Sequence, residues 1–170
     1  MNYKIIKMIK IIFLDIDGVL NNEVMCFNPE WKEKQFDIDK RCMDLLNNLI
    51  EKTDAKVVIS SVWRYGNTIE SLQKLLEEYG FKGEVIGLTP SYGHTACVRG
   101  NEILGWLQDN QDRYEGLDYN FKNYVILDDD GDMLLFQKDN FIHVDNFSGL
   151  TPNIIWKAEK ILNRNYNKNE

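Results

Sequence analysis

Proline is nearly missing from this chain, with three residues in 170, and no low-complexity tract or internal repeat interrupts it. No proline-rich linker divides the sequence, so a single domain is expected over residues 1–170, with a core at about 9–163 and a polar tail at 164–170. Cysteine is equally scarce. Cys26, Cys42 and Cys97 form no CxxC pair and are odd in number, which suggests neither a zinc site nor a disulfide framework and makes a reducing cytoplasm the default location. The two histidines, His94 and His143, have no partner at metal-ligand spacing, so a structural role is expected for each. Long apolar runs are also missing. Nothing approaches the ~20 residues that cross a bilayer. The basic-then-apolar start MNYKIIKMIKIIFLD is broken by Lys4, Lys7 and Lys10 and closed by Asp15, which leaves no signal-length apolar core. A soluble protein without membrane contact is expected. Positive charge is in deficit too: 20 Lys and Arg against 27 Asp and Glu give a formal net charge of −7. That argues against an extensive basic groove gripping duplex nucleic acid, while leaving room for a small local basic site.

What the chain does have is hydrophobic residues, 44% of the total, enough for one full core. Short β-branched runs recur at 11–14, 56–59, 124–127 and 141–144, with a weaker one at 84–87. They lack polar alternation, as strands covered on both faces do. Helical periodicity fills the intervals at 38–51, 68–79 and 102–109, with Thr68 and Ser71 as a start signal and Gly80 fitting a helix end. Strands alternating with helices predict an α/β fold with one doubly wound parallel sheet. Chemistry-bearing residues follow the strands: Asp15, Ser60, Asp128 and Asp145. In such sheets the ligand crevice lies outside the carboxyl ends of the strands, so these side chains are expected at one mouth.

Two acidic segments carry the chemistry. IIFLDIDGVL places Asp15 and Asp17 two residues apart after a strand, with Gly18 permitting a sharp turn of the backbone close to a ligand. YVILDDDGD supplies Asp128, Asp129 and their neighbours at another strand end. Gathering carboxylates costs Coulomb energy unless a cation is shared, and a few hard oxygen ligands suit Mg²⁺. An EF-hand does not fit, because Met133 would fall where that loop requires glycine. The ordinary alternative for each segment is a solvated Asp/Gly turn.

The stretches IIFLDIDGVLN, VVISSVWR, RGNEILGWL, YVILDDDGDM and the late Gly149–Thr151 occur in an order that resembles the haloacid dehalogenase superfamily. The resemblance is closest to its compact branch found as a phosphatase domain in the Swiss Army Knife RNA repair proteins. It covers residues 11 to about 153 and implies a Rossmann-like, capless or minimally capped phosphohydrolase. The implied function is removal of a phosphate from a phosphomonoester, with the end of an RNA or DNA, or another macromolecule, as first choice. A small-metabolite or nucleotide phosphatase of the same superfamily, and a catalytically silent binding module, are the alternatives.

Residue by residue, the resemblance implies that Asp15 attacks phosphorus and forms an aspartyl-phosphate, while Asp17 protonates the leaving oxygen and then activates water. Mg²⁺ would be held by Asp15, the carbonyl of Asp17 and Asp128, with Asp129 close by. Ser60, or the adjacent Ser61, would hydrogen-bond the phosphoryl group. Arg99 matches a basic residue that balances charge, a position where lysine is common, and Arg64 is an alternative source of that charge or a substrate contact. Trp31, in the loop after Asp17, is a candidate substrate contact; Trp63, Trp106 and Trp156 read as core. About twenty residues separate Gly18 from the first helix, too few for a helical cap domain. An open site is therefore expected.

Overall fold

The structure, a computed structural model, describes residues 8–22, 38–93, 97–114 and 123–164. Trp31, Cys26 and His94 lie outside the described residues, as do the tail at 165–170 and most of the interval between Gly18 and the first helix.

Five parallel strands form one sheet: β1 (Ile11–Leu14), β2 (Lys56–Ile59), β3 (Val85–Leu88), β4 (Tyr124–Asp128) and β5 (Phe141–His143), in the order β3-β2-β1-β4-β5. The helices are α1 (Lys40–Thr53), α2 (Ile69–Glu78), α3 (Arg99–Asp109) and α4 (Pro152–Leu162). Strand β1 is central and every residue of it is fully buried. Its alternating side chains serve two cores. Ile12 and Leu14 join Val57, Ile59, Val125 and Leu127 beneath α1, α2 and α4. Ile11 and Phe13 join Val58, Tyr124 and Ile126 beneath α3, where Phe13 meets the Trp106 and Tyr124 rings edge-on at 5.6 Å. Helices on both faces explain why the strands read as unbroken apolar runs.

The element ends follow from local chemistry. Thr68 caps α2 in a reciprocal box with Ser71, and Gly80 takes φ +89° just past its end. Helix α1 runs Lys40–Thr53 rather than 38–51, because the Asp39 side chain accepts the amide of Arg41 and fixes the start there. Helix α3 begins at Arg99, three residues before the periodicity suggests. Its cap residue Val98 has no side-chain acceptor, and Asp132 from the loop after β4 accepts the Arg99 amide at 2.9 Å instead. A long-range cap of that kind leaves no local sequence signal. Strand β4 reaches Asp128 and β5 stops at His143, each one residue from expectation. The late Gly149–Thr151 segment has a structural use: Leu150 donates to the Val19 carbonyl, and Thr151 caps α4 with Pro152 at its first position.

Candidate active site

Parallel strands at the centre of the sheet end together, and their registers decide what meets. Leu14 pairs with both Ile59 and Leu127, so Asp15 emerges level with Ser60 and Asp128. Carboxylate oxygens of Asp15, Asp128 and Asp129 lie within 4.8 Å of one another. Asp15 and Asp128 are buried and Asp129 is half-buried. At an effective dielectric near 20, two such charges 4 Å apart repel by about 4 kcal/mol.

Arg99 supplies the opposing charge. From the first turn of α3 its Nη1 reaches 3.7 Å from Asp15 Oδ1 and 3.8 Å from Asp128 Oδ2, and donates to the Ser60 carbonyl. Burial opposes its charge, but Asp128 and Asp15 outweigh that and raise its proton affinity above the ordinary arginine value. One arginine does not balance three carboxylates. Burial raises the Asp15 pKa; Arg99, a hydrogen bond from the Ser61 side chain and the Ile16 amide at 2.8 Å offset this in part, while Asp17 adds to the rise. Burial and then the Asp15 charge push Asp128 up to about 7. Asp129 is pushed up to about 6 by the same two causes, burial before charge. Asp128 Oδ2 is buried and has no hydrogen-bond partner among the described residues. A divalent cation fits this donor set: hard oxygens, surplus negative charge and one oxygen left unsatisfied.

Asp17 sits at the rim with its carboxyl held from two sides. The Trp63 indole donates to both oxygens at 3.0 Å and Asn21 Nδ2 donates to Oδ1 at 2.7 Å. Trp63 thus does more than fill core, and Asn21 was not singled out in the sequence at all. The weak signal was position: Trp63 lies in the short turn Val62–Arg64 just past β2, at the sheet edge where the carboxylates gather. Of the other tryptophans, Trp106 is core as expected, whereas Trp156 is 53% exposed.

Gly18 has φ +72° and lies against Asp129, whose Cγ would stand 2.5 Å from any added Cβ. The close approach is to an acidic side chain of the same site. Gly18→Ala is expected to displace Asp129, weakening the apparent affinity for Mg²⁺ several-fold as measured by activity against metal concentration.

The two serines differ. Ser61 hydrogen-bonds Asp15, and its side chain caps the short turn Val62–Arg64. Ser60 is fully buried with its Oγ unpartnered among the described residues. Arg64 is buried with its charge paired to an acid outside the cluster. It pairs with Glu102 at 2.6 Å and donates to the Ser60 and Ser61 carbonyls at 2.6 and 2.7 Å. These bonds hold the backbone after β2 and tie it to α3. With side chains only 4% and 7% exposed, removing one partner strands the other charge. Arg64→Ala is therefore expected to cost roughly 3–5 kcal/mol, read as a drop in melting temperature, and Arg64→Lys should restore only part of it. Asp145 does not join the cluster; its carboxyl accepts from the Phe147 amide and the Ser148 hydroxyl and shapes the turn before α4.

A family described as the HAD domain in Swiss Army Knife RNA repair proteins matches residues 11–154. The chain belongs to that family. Neither the curated proteins nor the solved structures gave a match. Membership of this HAD family accounts for the parallel five-stranded sheet and for a hydrolase of phosphatase type, with an acidic cluster able to hold a metal at the strand ends. Among the described residues no helix is long and apolar enough to cross a membrane.

Proposed function

We propose that this HAD domain is a Mg²⁺-dependent phosphomonoester hydrolase that removes the terminal phosphate of an RNA. The observation that carries the catalytic part is the convergence of Asp15, Asp128 and Asp129 around an unsatisfied buried oxygen, with Arg99 alongside. Asp15, Asp128 and Asp129 would hold the cation, whose chemistry is to neutralise charge between the carboxylates and the phosphate.

In the first step an oxygen of Asp15 attacks phosphorus and the bond to the leaving oxygen breaks, that oxygen taking a proton from Asp17. In the second, Asp17 takes a proton from water, the water oxygen attacks phosphorus, and the Asp15–phosphorus bond breaks to release phosphate. Trp63 and Asn21 keep the Asp17 carboxyl in place through both steps, and Arg99 and the Ser61 hydroxyl stabilise the oxygens around phosphorus. Ser60 contributes through its carbonyl, which orients Arg99.

Two observations support a macromolecular end as substrate. Segments that follow the strand ends carry exposed apolar and aromatic side chains, Val62, Tyr65, Tyr92, Val98, Leu135 and Phe136, which a base-bearing substrate can cover. The family's own description is of RNA repair. A phosphorylated oligoribonucleotide should show kcat/KM at least tenfold above a phosphopeptide, sugar phosphates and mononucleotides. A preference for a small metabolite would remove the RNA end and leave the hydrolase standing.

A further inference from the structure

Away from the carboxylates, a groove of about 440 Å³ runs between edge strand β5 and helix α4. Its lining is Phe141, Ile142 and His143 from the strand side, and Trp156, Lys157, Lys160, Ile161 and Arg164 from the helix side. Among the described residues no acidic side chain lines it. In a chain of net charge −7, Lys157 and Lys160 of α4 with Arg164 just beyond its end are not what composition alone supplies. The acid of that helix, Glu159, points elsewhere and pairs with Lys52 at 3.3 Å. Trp156 is 53% exposed, with Lys160 Nζ 3.7 Å above its ring, so a large aromatic face and a cation stand together at the surface. Cations that track phosphates beside an aromatic on which a base stacks are the elements of single-strand recognition.

The position connects the groove to the site. His143, at the groove, is paired in register with Asp128. Sideways across the sheet, two strand spacings, about 10 Å, separate β5 from β1, while the far end of α4, where Lys10 donates to Asn163 at 2.6 Å, lies at the opposite strand end from Asp15. We propose that this groove binds the strand of a single-stranded RNA a few nucleotides from the phosphorylated end held at Asp15. The inference rests on the RNA-end reading above, and it assigns to α4 a substrate-holding role that neither the phosphoryl chemistry nor the family match requires. Trp156 stacks a base, while Lys157, Lys160 and Arg164 neutralise successive phosphates. The strand then stays anchored while the site acts on its terminus.

The probe is a 3′-fluorescein-labelled, 5′-phosphorylated single-stranded RNA of about ten nucleotides, read by fluorescence anisotropy with the full chain carrying Asp15→Asn in Mg²⁺, so that the phosphate is retained. Replacing Lys157, Lys160 and Arg164 together by Ala should raise Kd by at least tenfold at low salt and flatten the slope of log K against log salt by about 2. Trp156→Ala should raise Kd by roughly fivefold to a hundredfold. The same substitutions with Asp15 intact should leave p-nitrophenyl phosphate turnover unchanged, since none touches the carboxylates, and circular dichroism should be that of the parent. Unchanged Kd and salt slope in both variants, with the parent still preferring phosphorylated RNA ends, would overturn the groove and spare the RNA-end reading. A parent that neither binds the RNA nor prefers its end would overturn both. Tighter binding of DNA of the same sequence would overturn RNA as the occupant.

Discussion

Asp15→Asn is expected to reduce turnover of a generic phosphomonoester to background, a loss on the order of 10⁴ or more, because the group that forms the covalent intermediate has no substitute in the site. Asp17→Asn should be milder, on the order of the 10²–10⁴ lost with a general acid/base. The two effects are separable from unfolding by a second measurement. Asp15 is buried beside Asp128 and Asp129, and burial already disfavours its charge, so a neutral side chain of the same shape relieves repulsion. The Asp15→Asn chain should therefore melt no lower than the parent in EDTA while being inactive. Near-normal turnover by Asp15→Asn would remove the nucleophile assignment. An inactive chain that also melted well below the parent would mean that Asp15 holds the fold, and the catalytic inference would lose its support.

How much of this was legible in the sequence depended on whether the cause was local. Strands β1 and β2 were readable to the residue, since their apolar runs end where a polar side chain, Asp15 or Ser60, takes over at the strand end. The α2 start was equally readable from Thr68 and Ser71, because a capping box lies within four residues. The start of α3 was not, because its cap is Asp132, which only the fold brings to Arg99. Helix α4 carries an apolar periodicity from Ile154 to Leu162 but runs straight into a polar tail, with no glycine to mark its end. In the site, Asp15, Asp128, Asp129 and Arg99 come together as their motif positions suggest. The serine ambiguity could not be resolved by counting, since a strand end and the short turn after it place successive side chains in unrelated directions. Arg64 shows the same limit. An arginine five residues past a strand reads as available for substrate, and only the burial of Glu102 on another element gives it a partner inside the protein.

The second large effect concerns the metal-free chain and its dependence on pH. Asp128, pushed up to about 7, and Asp129, pushed up to about 6, both hold protons in the folded state that an unfolded carboxylate releases near 3.9. Between pH 4 and 7 the folded chain thus binds more protons than the unfolded one, so the derivative of unfolding free energy with pH is negative. The stability these groups contribute is fully present below about pH 4 and is lost as pH rises through 6 and 7. In EDTA the chain should melt lower at pH 8 than at pH 5.5, by an amount corresponding to on the order of 2 kcal/mol, or several degrees for a protein of this size. Asp39 works in the opposite sense, its pKa lowered despite burial by hydrogen bonds from Asn22 and the Arg41 amide and by the Arg41 charge. Its contribution is lost only as pH falls below the ordinary carboxylate range, outside this interval. Adding Mg²⁺ should raise the melting temperature most at pH 8, where the ligands are already ionised, and least at pH 5.5, where protons compete for the same oxygens. Asp128→Asn should flatten the pH dependence in EDTA and blunt the response to Mg²⁺. If the parent instead melts at the same temperature across this range, or if Asp128→Asn follows it with an unchanged Mg²⁺ response, the crowded carboxylates are neither protonated at neutral pH nor the place where the cation binds.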